Sequence, residues 1–362
     1  MDKTTSSFSI VVATVIGSVI LLIVVSAVLY RYSYAYRMWA QSLLTVKLNQ
    51  NAKATNVLQA FPLRDFYIMG SYNTCVEGPY NRGIVSISYL KNAIALGYRF
   101  LDFEIYSSLA DEPIVSCSTI ETKCGTNASS FYSLPFVDVL KTINTYAFTN
   151  SGCMNYNDPL IINLRIKTCN VNVLTKLAEI FKANNNRMLG PEYSFNKNNS
   201  NFGDTRLENL MGKICIFVDS SSLDYSSNNA FMEYVNSSTI TGFLKESTQS
   251  DFKNAPGLED LIEYNKRNMT VILPDYGEPE NSILEVYQNA GCQIVATMIW
   301  RTGSYLDENT EYFSKYQRSF VLKPKQFRYI PETIQAPKEQ LKQYSYESRP
   351  LNTGVAGIKF DI

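Results

Sequence analysis

The chain has 362 residues, which is long enough for one large domain of roughly 250 residues or for two smaller ones. Its 33 basic and 33 acidic side chains cancel, so no basic face is indicated and no nucleic acid partner is expected. The sequence contains no histidine. This excludes Ser-His-Asp and Cys-His nucleophile systems, His-ligated zinc or haem, and every mechanism whose acid or base is an imidazole.

The amino-terminal region carries an uncharged apolar run over residues 8–30, after a short tail at residues 1–7. At about 1.5 Å per residue, a helix of this length covers the roughly 30 Å hydrocarbon core of a bilayer. A cleaved signal peptide is the alternative, but its apolar part is usually only about 7–15 residues long. We therefore predict a single-pass anchor that binds the lipid bilayer of a viral or host membrane through residues 8–30.

The charges that flank this run predict the orientation of the anchor. Arg31, Arg37 and Lys47 follow the run, whereas Lys3 is the one basic side chain before it. The positive-inside rule therefore places the large domain on the cytoplasmic side. Four N-x-S/T sequons leave open the opposite orientation, that of a receptor-like ectodomain, since they matter only in a lumenal or extracellular domain. They begin at Asn127, Asn198, Asn236 and Asn268.

The seven cysteines are scattered and include no CxxC pair, so neither a zinc site nor a disulfide framework is indicated. We predict buried thiols. A bridge between Cys117 and Cys124 remains an alternative if the domain faces an oxidising compartment.

After a juxtamembrane linker at residues 31–60, apolar strand patterns alternate with amphipathic helix patterns over residues 61–329. This alternation predicts a parallel sheet with helices outside it, and its length fits a TIM-type (β/α)8 barrel. Two polar stretches, residues 184–204 and 221–238, are predicted to be surface loops. Residues 330–362 are predicted to form a polar carboxyl-terminal tail.

Polar side chains cluster where the predicted strands end, which is where such barrels hold their chemistry. Asp102 and Glu104 lie two apart on the second strand and therefore share one face. Together with an amide such as Asn73 after the first strand, they could hold a hard cation such as calcium. The alternative is that the two acids form ion pairs with a basic side chain. The candidates are Arg99, Arg165 and Lys167.

The order of motifs resembles the eukaryotic-type phosphatidylinositol-specific phospholipase C (PI-PLC) X/Y catalytic barrel, in the PLC-like phosphodiesterase superfamily. FYIMGSYNT resembles the opening signature of that family, IALGYRFLDFEIY its second strand, and PIVSC and DPLIINLRI its third and fourth strands. QNAGCQIVATMIW followed by SFVLKPKQFRY resembles the closing pattern of the Y region and is the most specific part. The resemblance covers roughly residues 61–329 and implies the barrel fold.

The resemblance also implies where the catalytic groups are expected. The family cleaves a phosphodiester with two histidines, whose positions fall on Tyr72 and Cys117. A tyrosine, with an ordinary pKa near 10, is a poor general base at neutral pH. A thiol supplies no cation for the charge on the phosphorane. Both replacements act against the reaction, so no catalytic residue is expected at either position.

The calcium site that the resemblance implies is only partly present. Asn73, Asp102 and Glu104 match three family ligands, but the fourth, a glutamate in the family, is Arg165 here. We predict a vestigial site in which Arg165 replaces the ion by an internal ion pair, as an arginine does in the bacterial branch. No cofactor is therefore expected, and any calcium binding would be weak.

Headgroup recognition is also altered. Family positions that hold phosphate-binding cations fall on Phe217, Asp219 and Glu278. We therefore predict a membrane-anchored pseudoenzyme that acts as a scaffold, binding or structural protein toward an unknown protein partner, without phosphodiesterase activity. The alternative is an active phosphoric diester hydrolase with a histidine-free mechanism. It would use Tyr72 and Lys167 together with Asp102 and Glu104.

Overall fold

The computed structural model describes residues 2–42, 56–78, 84–118, 132–198, 200–221, 223–254, 257–277, 280–331, 350–352 and 359–361. The chain forms two compact units, Met1–Tyr329 and Ile330–Ile362. The first unit contains the amino-terminal helix and the barrel. The second contains a pair of antiparallel strands.

The first helix, α1 (Asp2–Ser42), is longer than the predicted span and continues into the predicted linker. Its apolar segment, Val11–Ser33, has a mean hydropathy of 2.9 and is not buried against the protein. By length and composition this segment can cross a membrane, and a signal sequence has the same properties.

The remaining α-helices are α2 (Asn56–Gln59), α3 (Ile87–Ala95), α4 (Phe136–Tyr146), α5 (Asn172–Ala183), α6 (Phe195–Asn198), α7 (Leu207–Leu210), α8 (Asn229–Met232), α9 (Gln249–Lys253), α10 (Leu258–Arg267), α11 (Leu284–Gln288) and α12 (Ser304–Tyr316). The strands are β1 (Phe66–Ser71), β2 (Val76–Glu77), β3 (Ile84–Val85), β4 (Phe100–Ser107), β5 (Pro113–Ser116), β6 (Leu134–Pro135), β7 (Leu160–Ile166), β8 (Ile214–Asp219), β9 (Val235–Ser238), β10 (Leu244–Thr248), β11 (Met269–Leu273), β12 (Ile294–Thr297), β13 (Phe320–Leu322), β14 (Pro350–Asn352) and β15 (Lys359–Asp361).

Eight parallel strands form the barrel, in the order β10-β11-β12-β1-β4-β7-β8-β9. Within the described chain β9 and β10 do not pair with each other, so the barrel is nearly closed. The predicted TIM-type architecture is confirmed. We call the end where the barrel strands finish the mouth, and the end where they begin the bottom.

Two predictions about individual segments were wrong. The PIVSC strand, β5, is not the third barrel strand: it pairs antiparallel with β4 beside the barrel. The predicted loop at residues 221–238 contains β9, a fully buried barrel strand. This strand is polar, but Asn236 accepts a hydrogen bond from the Ile216 amide (2.8 Å) and donates one to the Tyr193 carbonyl (3.3 Å). Because these polar groups are satisfied, a strand without apolar alternation can be buried.

The predicted state of the cysteines also needs correction. Cys169 is exposed and disulfide-bonded, so the thiols are not all buried and reduced. Cys117 is not disulfide-bonded, so it forms no bridge with Cys124, which lies outside the described residues.

At the bottom of the barrel, the NAGCQ and VLKP segments pack together. The side-chain amide of Gln293 donates to the carbonyls of Arg64, Asn265 and Asn268 and accepts from the Thr270 amide, at 2.8–3.0 Å. The buried Lys323 Nζ atom donates to the carbonyls of Asn265 (2.9 Å) and Gly291 (3.0 Å). These contacts join β11, β12 and β13, so the most specific part of the resemblance has a structural role here.

Candidate functional site

Three neighbouring strands bring the predicted site residues to the mouth. Tyr72 and Asn73 follow β1, Asp102 and Glu104 lie on β4, and Arg165 lies on β7. In the sheet β4 lies between β1 and β7, and Glu104 is in register with Arg165. All five side chains are buried, with exposed fractions of 0–3%.

The turn after β1 fixes the position of Asn73. The Thr74 amide donates to the Asp102 carbonyl (2.9 Å), and the Thr74 hydroxyl accepts from the Asp102 amide (3.1 Å). Asn73 has a φ of +43°, in the left-handed region that asparagine tolerates better than most residues. This conformation lets its amide N–H donate to Asp102 Oδ2 (3.1 Å). The turn therefore positions the Asn73 side chain beside the two carboxylates.

The guanidinium of Arg165 is the centre of the site. Its Nε and Nη2 atoms donate to Asp102 Oδ1 (2.9 Å) and Oδ2 (2.7 Å), which is a bidentate pair. Its Nη1 donates to Glu104 Oε1 (2.9 Å), and Nη2 also donates to Asn73 Oδ1 (2.8 Å). The aromatic ring of Tyr72 lies against it, with the guanidinium carbon 4.6 Å from the ring centroid. One cation thus contacts all three predicted ligands and the tyrosine.

The remaining carboxylate oxygens have further donors. Asn163 donates to Asp102 Oδ1 (3.0 Å), while the Tyr106 hydroxyl (2.8 Å) and the Ser118 amide (2.9 Å) donate to Glu104 Oε2. Every oxygen of the two carboxylates therefore accepts at least two hydrogen bonds. Such complete pairing is what allows charged groups to stay buried.

The electrostatics keep both Arg165 and Tyr72 protonated. Burial alone lowers the pKa of the Arg165 guanidinium, but the Asp102 and Glu104 charges outweigh this, and its pKa lies well above the ordinary value. Burial raises the pKa of the Tyr72 phenol above its ordinary value, although the Arg165 charge acts in the opposite direction. The phenol therefore cannot accept a proton at neutral pH.

The residues of the mouth do not fit a calcium ion. Calcium needs six to eight oxygen ligands at about 2.3–2.6 Å. Asn73, Asp102 and Glu104 direct their oxygens at the Arg165 guanidinium instead. Within the described chain no group of three or more acidic or cysteine side chains is placed to hold a metal ion.

The three basic side chains considered as ion-pair partners have different positions. Arg165 pairs with both acids, as predicted. Arg99 instead donates to the Ala147 carbonyl (3.0 Å), and Lys167 donates to the Tyr276 hydroxyl (3.2 Å). Cys117 directly follows β5, the strand that pairs antiparallel with β4, and is fully buried.

A cavity of about 400 Å³ opens beside Arg165 at the mouth. Four carboxylate side chains line it: Asp219, Glu246, Asp251 and Asp275. Burial, together with the charges of Asp219 and Asp102, raises the pKa of Glu246 well above its ordinary value. An anionic ligand is therefore disfavoured in this cavity.

Of the predicted headgroup positions, Asp219 lines this cavity, and Phe217 lies in the core against Phe202. Glu278 lies outside the described residues. Sequence reasoning missed Asn163 and Tyr106, although each lies two residues from a predicted site residue on the same strand face. It also missed Glu246, because β10 lacks the apolar pattern of a buried strand.

Comparison with known proteins gives a family match for part of the chain and a similar fold for most of it. Residues 59–220 match the family of the phosphatidylinositol-specific phospholipase C X domain. The fold is similar to the crystal structures of PLC21 from S. officinalis and L. pealei, with TM-scores of 0.63 and 0.61 and 18% identity to each. The alignments cover 80% and 78% of this chain and 40% and 39% of theirs, so this chain spans about two fifths of their length. Comparison with curated proteins gives no match. Residues 59–220 therefore match the X domain of phosphatidylinositol-specific phospholipase C, and the barrel has a fold similar to that of the two PLC21 structures.

Proposed function

We propose that this chain is a membrane-anchored PI-PLC-like pseudoenzyme, whose barrel acts as a scaffold or binding protein at a membrane without phosphodiesterase activity. The observation that carries the proposal is the Arg165 guanidinium, which is bonded to Asn73, Asp102 and Glu104 at 2.7–2.9 Å. The groups that would bind and activate a substrate are engaged with each other. Their arrangement stabilises the fold and leaves no metal position.

Proton transfer is the second argument. Tyr72 occupies the family position of the general base, where burial keeps its phenol protonated. Efficient acid–base catalysis needs a group whose pKa lies near the working pH. The loss of one such group typically costs about 10²–10⁴-fold in rate. Cys117, at the second family position, is a buried thiol and supplies no positive charge to a phosphorane.

Substrate binding is the third argument. Each charge-assisted hydrogen bond to a phosphate contributes roughly 1.5–3 kcal/mol. Here the mouth cavity is lined by acids, and Phe217 and Asp219 stand where the family has cations. A polyphosphorylated headgroup would meet repulsion in this cavity, which agrees with a barrel that no longer turns over phosphoinositides.

The direct test uses the full chain in detergent-free proteoliposomes that contain phosphatidylinositol or polyphosphoinositides, with and without calcium. We expect release of water-soluble inositol phosphate no faster than in protein-free liposomes. Turnover that is lost in Tyr72→Phe or Asp102→Asn, and kept in the exposed control Asp138→Asn, would refute the proposal.

A second candidate function is a phosphodiester hydrolase with a histidine-free mechanism, and Glu246 favours it. Its carboxyl group lines the same cavity as Arg165, and burial raises its pKa, which favours the protonated form that can donate a proton. In the described chain its buried Oε1 atom has no hydrogen-bond partner. This candidate predicts turnover in the same assay, with a pH profile that Glu246→Gln abolishes.

A further inference from the structure

The cysteines of the described chain fall into two groups. One group consists of reduced thiols with exposed fractions of 0–4%: Cys75, Cys117, Cys153, Cys215 and Cys292. Burial raises the pKa of Cys292 to about 12, and burial also raises the pKa of Cys75 and Cys215. Thiols of this kind form little thiolate and are shielded from oxidants.

Cys169 forms the other group. It is exposed, it follows β7 at the mouth of the barrel, and it is disulfide-bonded. The five reduced cysteines are excluded as its partner. The one other cysteine in the sequence is Cys124, outside the described residues.

An exposed disulfide is informative about the compartment. In the cytosol, glutathione and thioredoxin keep accessible thiols reduced, whereas disulfides persist in lumenal and extracellular proteins. We propose that the barrel folds on the non-cytoplasmic side of its membrane, where Cys169 is oxidised to a structural disulfide. In that step two thiols lose two protons and two electrons to the disulfide of a thiol–disulfide oxidoreductase, which becomes a dithiol.

The amino-terminal helix is consistent with this side. A membrane anchor can carry the domain that follows it across the membrane, and a signal sequence always does so. The cytoplasmic orientation depends on a bias of three basic residues (Arg31, Arg37 and Lys47) over Lys3. This bias is weak beside a domain of this size, because long domains translocate largely regardless of charge.

A position on the non-cytoplasmic side of the membrane also determines which lipids the mouth of the barrel can meet. The anionic phosphoinositide-type lipids that give a leaflet its negative potential lie on the cytoplasmic face. A barrel on the other side would not meet them. The acid-lined cavity around Asp219 and Glu246 would then not impair lipid binding, because the barrel would not encounter anionic phosphoinositide-type lipids.

The sequons can report on the compartment, but they are not equivalent. Asn236 has an exposed fraction of 2% and uses its side-chain amide within the core, so a glycan there is incompatible with the fold. Sugar attached at Asn127, Asn198 or Asn268 would place the barrel in a lumenal or extracellular space.

The test expresses the full chain in eukaryotic cells and counts thiols in the denatured protein by modification with maleimide-polyethylene glycol, before and after reduction. We expect five modified cysteines before reduction and seven after it. Cys169→Ser should give six in both states, because its partner becomes a thiol. The matched control Cys215→Ser should give four before and six after. Seven modified cysteines before reduction would overturn the proposal.

A protease-protection assay on sealed vesicles from the same cells tests the side directly. We expect the barrel to resist added protease until detergent opens the vesicles. Digestion of the barrel in sealed vesicles would overturn the proposal even if the disulfide were present. Neither result depends on whether the barrel hydrolyses a phospholipid, so this inference and the proposed function can fail separately.

Discussion

At the mouth of the barrel the buried guanidinium of Arg165 faces two carboxylates, whereas at the bottom the buried side-chain nitrogen of Lys323 faces neutral carbonyl groups. At the mouth one guanidinium is bonded to two carboxylates and to the Asn73 amide oxygen. At the bottom the NAGCQ and VLKP segments join β11, β12 and β13. The two ends therefore use a buried basic side chain differently: the mouth pairs it with charged groups, and the bottom pairs it with backbone carbonyls.

This difference shows that the most specific part of the family resemblance concerns the fold. Gln293 and Lys323, in the most specific segments of the resemblance, hold the barrel together at its bottom. Tyr72 and Arg165 lie at the mouth, where the resemblance predicts the catalytic groups. A match in the closing segments thus supports the fold and is silent about activity.

The sharpest way to break this comparison is to remove the cation at the mouth. Arg165→Met leaves Asp102 and Glu104 buried without a positive charge, and we expect a loss of about 3–5 kcal/mol in the free energy of unfolding. Urea denaturation of the purified full chain measures the loss. Arg165→Lys should recover part of it, because a lysine keeps the charge but cannot form the bidentate pair. A loss below about 1 kcal/mol would contradict the ion-pair account.

A smaller effect is expected at the bottom. Gln293→Leu removes four hydrogen bonds and leaves buried backbone groups without a partner, which should cost about 2–3 kcal/mol. The same denaturation experiment checks it, with the exposed amide variant Asn229→Leu as the control. An effect as small as that of the control would show that the NAGCQ segment has no structural role.

The pH dependence of stability sharpens the contrast further. Burial lowers the pKa of Lys323 to about 7, while an unfolded lysine titrates near 10.4. Between these values the unfolded chain binds more protons than the folded chain, so the free energy of unfolding should rise with pH, by about 1.4 kcal/mol per unit. In Lys323→Met this contribution should disappear, whereas the exposed Lys315→Met should keep it. Identical slopes in the two variants would argue against a neutral Lys323.

Much of the fold could be predicted from the sequence, because most barrel strands are apolar runs separated by amphipathic helices. β9 and β10 could not, since Asn236 and Glu246 interrupt the apolar pattern and are accommodated by contacts with other segments. β5 was placed in the barrel because an apolar run does not distinguish a parallel strand from an antiparallel neighbour.

The sequence predicted which residues form the candidate site better than it predicted the hydrogen bonds between them. Strand alternation and family spacing identified Asn73, Asp102, Glu104 and Arg165, and the structure brings these four together. The further hydrogen-bond donors, Asn163 and Tyr106, could not be predicted, because their contacts depend on the register between neighbouring strands. The pairing of Cys169 likewise depends on which segments meet in space.

The most direct test of the account is a calcium titration of the native full chain, followed by isothermal calorimetry and by the thermal unfolding midpoint, in parallel with Asp102→Asn. Because the Arg165 guanidinium holds the carboxylates that a calcium ion would need, we expect no saturable heat and no shift of the midpoint in the native chain. Saturable binding of one ion, lost in Asp102→Asn, would mean that the mouth is still a metal site and would contradict the account.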